Sequence, residues 1–312
     1  MRRILLGAAC AAILGVCGCK PAPGPDAAHP SRPKIALIMK SLANDFFATM
    51  AKGAREHEAA HAADYELMVS GIRNETDLSE QVNLVEQAVA QGASAIVIAP
   101  ADSKALVPAL ARAAQQGVVI VNIDNRLDDA VVRQAGLRLS FVGPDNRAGA
   151  RRVGEALAAR LRAGDEVAII EGVTTAFNGQ QRRAGFEDAM HAAGLRIVAV
   201  QSGEWEMEKA NTVAANLLSA HPNLKALACA NDNMAIGAAA AVSAIGRAGQ
   251  VLVAGFDDIA AIKPLLADGR VVATADQHAD QIAVNGIELA LRALRDGKPA
   301  ADAATVVDLV TR

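Results

Sequence analysis

The sequence predicts an α/β chain of two doubly wound parallel-sheet lobes. Short apolar runs alternate with longer segments of helical period, and such alternation implies parallel strands with helices on both faces. The runs are apolar throughout rather than every second residue, the pattern of strands buried on both sides. Ten such runs fall into two sets of five, and 312 residues at about 150 per domain fit two units.

Composition agrees. Residues of the AVILMFWYC set make up 52% and charged residues 21%, which excludes wholesale disorder and predicts a large core. Aromatics are 3%, as six Phe, one Trp and one Tyr, so Ala, Val, Ile and Leu build the core and any aromatic cluster needs its own reason. The net charge of -3, without a long basic run, argues against nucleic acid as a partner.

The N-terminus reads as an export signal over residues 1–18. Arg2 and Arg3 precede the apolar run Ile4 to Val16, which is short of the roughly 20 residues a spanning helix needs. The run ends in Val16-Cys17-Gly18-Cys19, which resembles a bacterial lipobox with cleavage before Cys19 and a lipid on that thiol. A plain secretory signal cut nearby is the alternative. Cleavage removes Cys10 and Cys17, and with Arg2 and Arg3 gone the charge moves from -3 to -5. Cys229 is then the one cysteine of the body, expected as a small buried hydrophobe without an intrachain disulfide. Residues 19–33 carry Pro21, Pro23, Pro25, Pro30 and Pro33 without apolar periodicity and read as a tether.

The first set of expected strands is Ile35 to Met39, Tyr65 to Ser70, Ala95 to Ile98, Val118 to Ile123 and Leu139 to Val142. The second is Glu166 to Ile170, Arg196 to Val200, Ala226 to Cys229, Val251 to Gly255 and Val271 to Ala275. Helical periodicity covers Phe46 to Ala62, Leu78 to Gln91, Ser103 to Gln115, Arg147 to Leu161, Arg182 to Ala193, Lys209 to Ser219 and Met234 to Ile245. Gly143-Pro144-Asp145 suits a first crossing between lobes, with later ones near Gln277-His278 and before Val306. The lobes are then expected as 34–143 plus 278–304, and 144–277 plus 305–312.

Ligands of open parallel sheets bind beyond the carboxyl ends of the strands. At those ends stand Lys40 to Phe47, Asp124-Asn125-Arg126, Phe177-Asn178 with Arg182, Trp205, Asn231-Asp232, Phe256-Asp257-Asp258 and Asp276-Gln277. Four or five of the eight aromatics gather there beside carboxylates, amides and an arginine. That mixture suits a neutral polyhydroxyl ligand. Aromatic faces cover the C–H faces of a sugar, carboxylates accept from hydroxyl groups, and Asn, Gln and Arg donate. Asp45 and Asp258 also read as helix N-caps.

From Lys34 onward the chain resembles bacterial periplasmic sugar-binding proteins of the ribose/allose/galactose type, the receptors of ABC importers. The resemblance rests on Lys40-Ser41-Leu42-Ala43-Asn44-Asp45-Phe46-Phe47, Val121-Asn122-Ile123-Asp124, Ala230-Asn231-Asp232 and Gly255-Phe256-Asp257. It implies two lobes joined by a hinge that close on one sugar, a closed form presented to a membrane permease, no cofactor and no catalytic role. It also implies sugar contacts at Asn44, Phe46, Phe47, Asp124, Arg182, Trp205, Asn231, Asp257 and Gln277, with Lys40 beside them. Phe46, Phe47 and Trp205 would be stacking walls, and Lys40 and Asn44 would set selectivity. Lys40 is similar to the allose-type receptors, whereas ribose binders have a small hydroxylated residue there. Asn125 departs from the Arg that follows the Asp in ribose-type receptors. The expected protein is a monomeric, periplasmic, lipid-anchored receptor.

The sequence also carries a motif of another function class. His57-Glu58-Ala59-Ala60-His61 matches the H-E-x-x-H zinc motif, with Glu75 and Glu80 as conceivable third ligands of a zinc peptidase. The motif sits at the far end of the first helix, away from the strand ends, and packing explains His61 as well. No dinucleotide or phosphate-binding glycine loop follows a strand, and no G-x-S-x-G elbow occurs. Lactose-repressor-type regulators share such a core but carry an N-terminal helix-turn-helix, which the signal and tether replace here. A polyol receptor, an autoinducer-2-type receptor and a sensor for chemotaxis or signalling remain as alternatives.

Overall fold

The computed structural model describes residues 32–312; the expected signal, the Cys19 lipid site and the tether as far as Ser31 lie outside them. The first half runs β1 (Lys34–Met39), α1 (Asp45–Ala60), β2 (Glu66–Gly71), α2 (Leu78–Ala90), β3 (Ala95–Ile98), α3 (Val107–Gln115), β4 (Val119–Ile123), α4 (Asp129–Gln134) and β5 (Ser140–Pro144). Next come α5 (Asn146–Ala158), β6 (Glu166–Glu171), α6 (Phe177–Ala192), β7 (Arg196–Ser202), α7 (Met207–Ala220), β8 (Leu224–Cys229), α8 (Asp232–Ala244), β9 (Leu252–Ala254), α9 (Lys263–Asp268) and β10 (Ala273–Asp276). The chain closes with α10 (Ala279–Asp296), β11 (Ala303–Thr305) and β12 (Asp308–Thr311).

The strands form two six-stranded sheets, β2-β1-β3-β4-β5-β11 and β7-β6-β8-β9-β10-β12. Every pairing is parallel except β12 against β10. Both sheets reverse strand order at the same place, between β1 and β3 and between β6 and β8, where outgoing loops diverge and leave a crevice. The sequence explains the burial. All four residues of β3 and the last five of β1 are buried, because helices cover both faces. Helix α1 buries Phe46, Phe47, Met50, Ala51, Gly53 and Ala54, a stripe of helical period. The chain crosses between sheets after β5, around α10, which packs on β3 and β4, and between β11 and β12.

Several local expectations are corrected. Residues 103–106 are not helical, because the Asp102 carboxylate accepts from the Lys104 and Ala105 amides at 2.7 and 2.8 Å and holds a turn. Helix α6 begins at Phe177, five positions before the expected Arg182. Its cap residue, Ala176, has no side-chain acceptor. The first two helical amides are instead satisfied from the first lobe, by Ser103 Oγ at 2.9 Å and Asn125 Oδ1 at 3.1 Å. Asn44, not Asp45, caps α1, accepting from the Phe46 amide at 3.1 Å. Asp258 caps no helix and pairs with Lys263. Pro33 belongs to the body rather than the tether, since its carbonyl accepts from the Glu66 amide at 3.0 Å. Strands β11 and β12, of three and four residues, are additional to the ten expected. Cys229 is a free, buried cysteine whose pKa burial pushes up.

Candidate functional site

The ten residues singled out from the sequence line one cavity of about 240 Å³ between the carboxyl ends of the two sheets. Glu75 and Asn178 line it too. The sequence pointed to neither as a sugar contact. Glu75 follows β2 and so meets the strand-end criterion, besides its place as a conceivable zinc ligand. Asn178 precedes the helix expected from Arg182, whereas it lies in the first turn of α6.

The loops from the first sheet supply one wall. Lys40 and Asp124 stand at the ends of β1 and β4 and form a buried ion pair at 3.3 Å. The Lys40 ammonium also lies 5.5 Å from the Phe47 ring centre and 5.6 Å from that of Trp205, so it spans the cleft. Phe46 and Phe47 meet edge to face with centres 5.1 Å apart, presenting two differently oriented aromatic surfaces. Asn44 donates to Glu75 Oε1 at 3.1 Å while its oxygen caps α1. Burial pushes the Glu75 carboxyl up to about 7, against the pull of Lys40 and Asn44.

The second sheet supplies the other wall. Arg182 is clamped on three sides: Nε donates to Asn146 Oδ1 at 2.8 Å, and an Nη donates to the Ala230 carbonyl at 2.9 Å and Asp257 Oδ1 at 3.1 Å. Its guanidinium lies 4.0 Å from the Phe256 ring centre. Gln277 donates to the same Asp257 oxygen at 2.7 Å. Burial pushes the Asp257 carboxyl up to about 7, with Arg182 opposing. Behind it, Asp232 accepts from Thr274 Oγ1 at 2.7 Å and the Ile259 amide at 3.0 Å, which braces the Asp257 loop. Asn231 caps α8 through the Met234 amide at 2.9 Å and donates to the Trp205 carbonyl at 3.2 Å, which fixes the indole loop. A Cβ on Gly172 would stand 2.1 Å from the indole, so only glycine leaves room for it.

Backbone strain concentrates here. Asp124, Trp205 and Asp257 have φ of 59°, 69° and 119°, a region that costs side-chain-bearing residues energy. Three buried side-chain atoms of the lining, Asp124 Oδ2, Trp205 Nε1 and Gln277 Oε1, have no aligned hydrogen-bond partner in the protein. Two accept and one donates, so the cavity is complementary to groups that do both, as hydroxyls do. The zinc-like residues have other occupations. His57 holds Tyr65 Oη at 2.9 Å and Glu288 at 3.0 Å, Glu58 accepts from the Leu67 amide at 2.8 Å, and His61 bonds the His57 carbonyl at 2.9 Å.

Residues 35–299 match the model of the periplasmic binding protein domain. The chain belongs to the periplasmic binding protein family. Curated relatives agree. It is 57% identical over 286 residues to the D-ribose/D-allose-binding protein of Pseudomonas aeruginosa, covering 90% of each chain. It is 35% identical over 268 residues to the D-allose-binding periplasmic protein of Escherichia coli, covering 85% of this chain and 86% of that one. Among solved structures, an ABC transporter solute binding protein from Burkholderia multivorans superposes with a TM-score of 0.88 at 55% identity, covering 90% of this chain and 99% of that one. The Actinobacillus succinogenes solute binding protein with bound D-allose superposes with a TM-score of 0.84 at 36% identity, covering 90% and 98%. As a periplasmic binding protein the chain is a binding protein and not an enzyme; His57 ties α1 to Tyr65 and Glu288, whereas His61 is exposed at the C-cap of α1, so its expected packing role is corrected.

Proposed function

We propose that this protein is the periplasmic receptor of an ABC sugar importer and encloses one monosaccharide of the D-allose or D-ribose type between its lobes. The observation that carries the proposal is that Trp205 Nε1 and Gln277 Oε1 are buried without a hydrogen-bond partner, and Asp124 Oδ2 has only its ion pair with Lys40, in a cavity walled by Phe46, Phe47 and Trp205. A buried polar atom without a partner costs about 1–3 kcal/mol, and sugar hydroxyls relieve the first two and give the third an aligned donor. In this reading Asp124, Asp257, Asn231, Arg182 and Gln277 are hydroxyl partners, and the three aromatics pack the sugar's C–H faces. Lys40, Asn44 and Glu75 add further polar groups to the cavity wall. The similarity to the D-ribose/D-allose-binding protein and to the allose-bound structure supports the same class.

Closure of the two lobes traps the sugar and forms the surface that the membrane permease recognises. Cys19 anchors the receptor to a membrane by its lipid, residues 19–32 are the tether, and the receptor acts as a monomer. The lobe boundaries proposed are 33–144 with 278–305, and 145–277 with 306–312, each strand-end boundary one position beyond the expected one because Pro144 and Thr305 pair in the first sheet. The test is a thermal-shift screen against pentoses, hexoses, sugar alcohols and inositols. A sugar at 100 times its dissociation constant adds about 2.7 kcal/mol of stability. A shift confined to D-allose and D-ribose is the expected result. A shift with a polyol alone, or none across the panel, would overturn the sugar assignment.

A further inference from the structure

Helix α6 lies in the second lobe, but its N-terminus is completed by the first. A helix leaves its leading amides without internal partners, and Ala176 at the cap position has no acceptor to offer them. The Phe177 amide donates to Ser103 Oγ at 2.9 Å, and the Asn178 amide donates to Asn125 Oδ1 at 3.1 Å. Ser103 Oγ in turn donates to Asn125 Oδ1 at 3.4 Å, so the two caps form one relay. The third amide, of Gly179, is met within the helix by Asn178 Oδ1 at 2.8 Å. Asn125 is held in place by its donation to the Pro100 carbonyl at 2.9 Å. Ser103 and Asn125 are buried and neither lines the cavity. A further bridge between the lobes runs from the Glu75 amide to Glu206 Oε1 at 3.3 Å.

We infer that Ser103 and Asn125 are a latch: they cap α6 across the cleft, in the closed form alone, and so populate that form before sugar arrives. The contacts include no cavity-lining atom of the first lobe, so their contribution to closure is independent of the sugar. Opening strips α6 of both caps. The inference rests on the closing cleft proposed above, and its test is therefore read without sugar.

Trp205 is the single Trp of the chain and is 4% exposed between the lobes, so acrylamide quenching of its fluorescence reports opening. The comparison is wild type against Ser103→Ala, Asn125→Ala and Phe177→Pro. The proline removes the donating amide and leaves both acceptors intact. It stands at the first helical position, where proline is tolerated, and Ala176 before it is already extended at φ -89° and ψ 127°. Loss of one cap is expected to lower the closed-to-open ratio about fivefold, seen as stronger quenching of the sugar-free variants. Saturating D-allose should return every variant to the same low quenching. Equal quenching of sugar-free wild type, Ser103→Ala and Phe177→Pro would overturn the latch. Failure of D-allose to protect wild-type Trp205 would count against the binding assignment alone.

Discussion

Asp257 is the residue on which most of the second wall depends. One carboxylate oxygen receives both the Arg182 guanidinium and the Gln277 amide. Its loss leaves two buried donors short of an acceptor and, in the proposed reading, a sugar hydroxyl as well, so Asp257→Ala should weaken D-allose binding at least tenfold by calorimetry. Unchanged affinity would place the sugar elsewhere. Glu75 carries a pH signature. Its carboxyl has a reference value of 4.5 and is raised to about 7 in the fold. The folded state therefore keeps a proton that the unfolded chain releases, and this group's contribution falls as pH rises from about 4.5 through about 7. The melting temperature of Glu75→Gln relative to wild type should climb across that window. A difference independent of pH would mean that the Glu75 carboxyl is not held in this buried setting.

At this scale the site was largely legible, for a physical reason. Parallel sheets deliver side chains at strand ends, and the polar residues after each apolar run stand out in the sequence. Glu75 meets the same strand-end criterion, since it follows β2, but its contacts with Asn44 and Lys40 arise only in the folded loop.

Among the elements, the helix pairs of the second lobe pack backbone to backbone. A Cβ on Gly185 of α6 would stand 2.3 Å from the Arg147 carbonyl of α5, and one on Gly237 of α8 would stand 2.1 Å from the Met207 carbonyl of α7. In an exposed helix Gly→Ala stabilises by up to about 1 kcal/mol. Here the sign should reverse. Gly185→Ala and Gly237→Ala should each cost about 1–3 kcal/mol in urea unfolding, because backbone cannot yield as a side chain does. A gain in stability at either position would show that these helices stand further apart. Strand positions were legible from their apolar runs, but the start of α6 was not. Its caps come from Ser103 and Asn125, which lie 74 and 53 positions away. No local window contains that signal. Strands β11 and β12 are too short to show periodicity, and their pairing with β5 and β10 is set by the crossings around them.

The whole molecule repeats one sheet order twice and faces the two switch points toward each other. That arrangement lets a single cavity take side chains from both sheets and lets closure bury them together. Lys40 is 2% exposed, and Asp124 and Arg182 equally so, which is costly for charged groups unless they are paired. The pairs Lys40–Asp124 and Arg182–Asp257 each stay within one lobe, so each charge keeps its partner as the cleft opens. Sugar binding should accordingly compact the molecule without rebuilding either lobe, and small-angle scattering should show a smaller radius of gyration on addition of D-allose. The central claim is that one monosaccharide fills this cavity, and calorimetric titration of D-allose and D-ribose into the protein tests it most directly. One saturable site per chain, with affinity at least tenfold weaker in Asp257→Ala, is the predicted result. No binding of either sugar, or binding indifferent to that substitution, would contradict it.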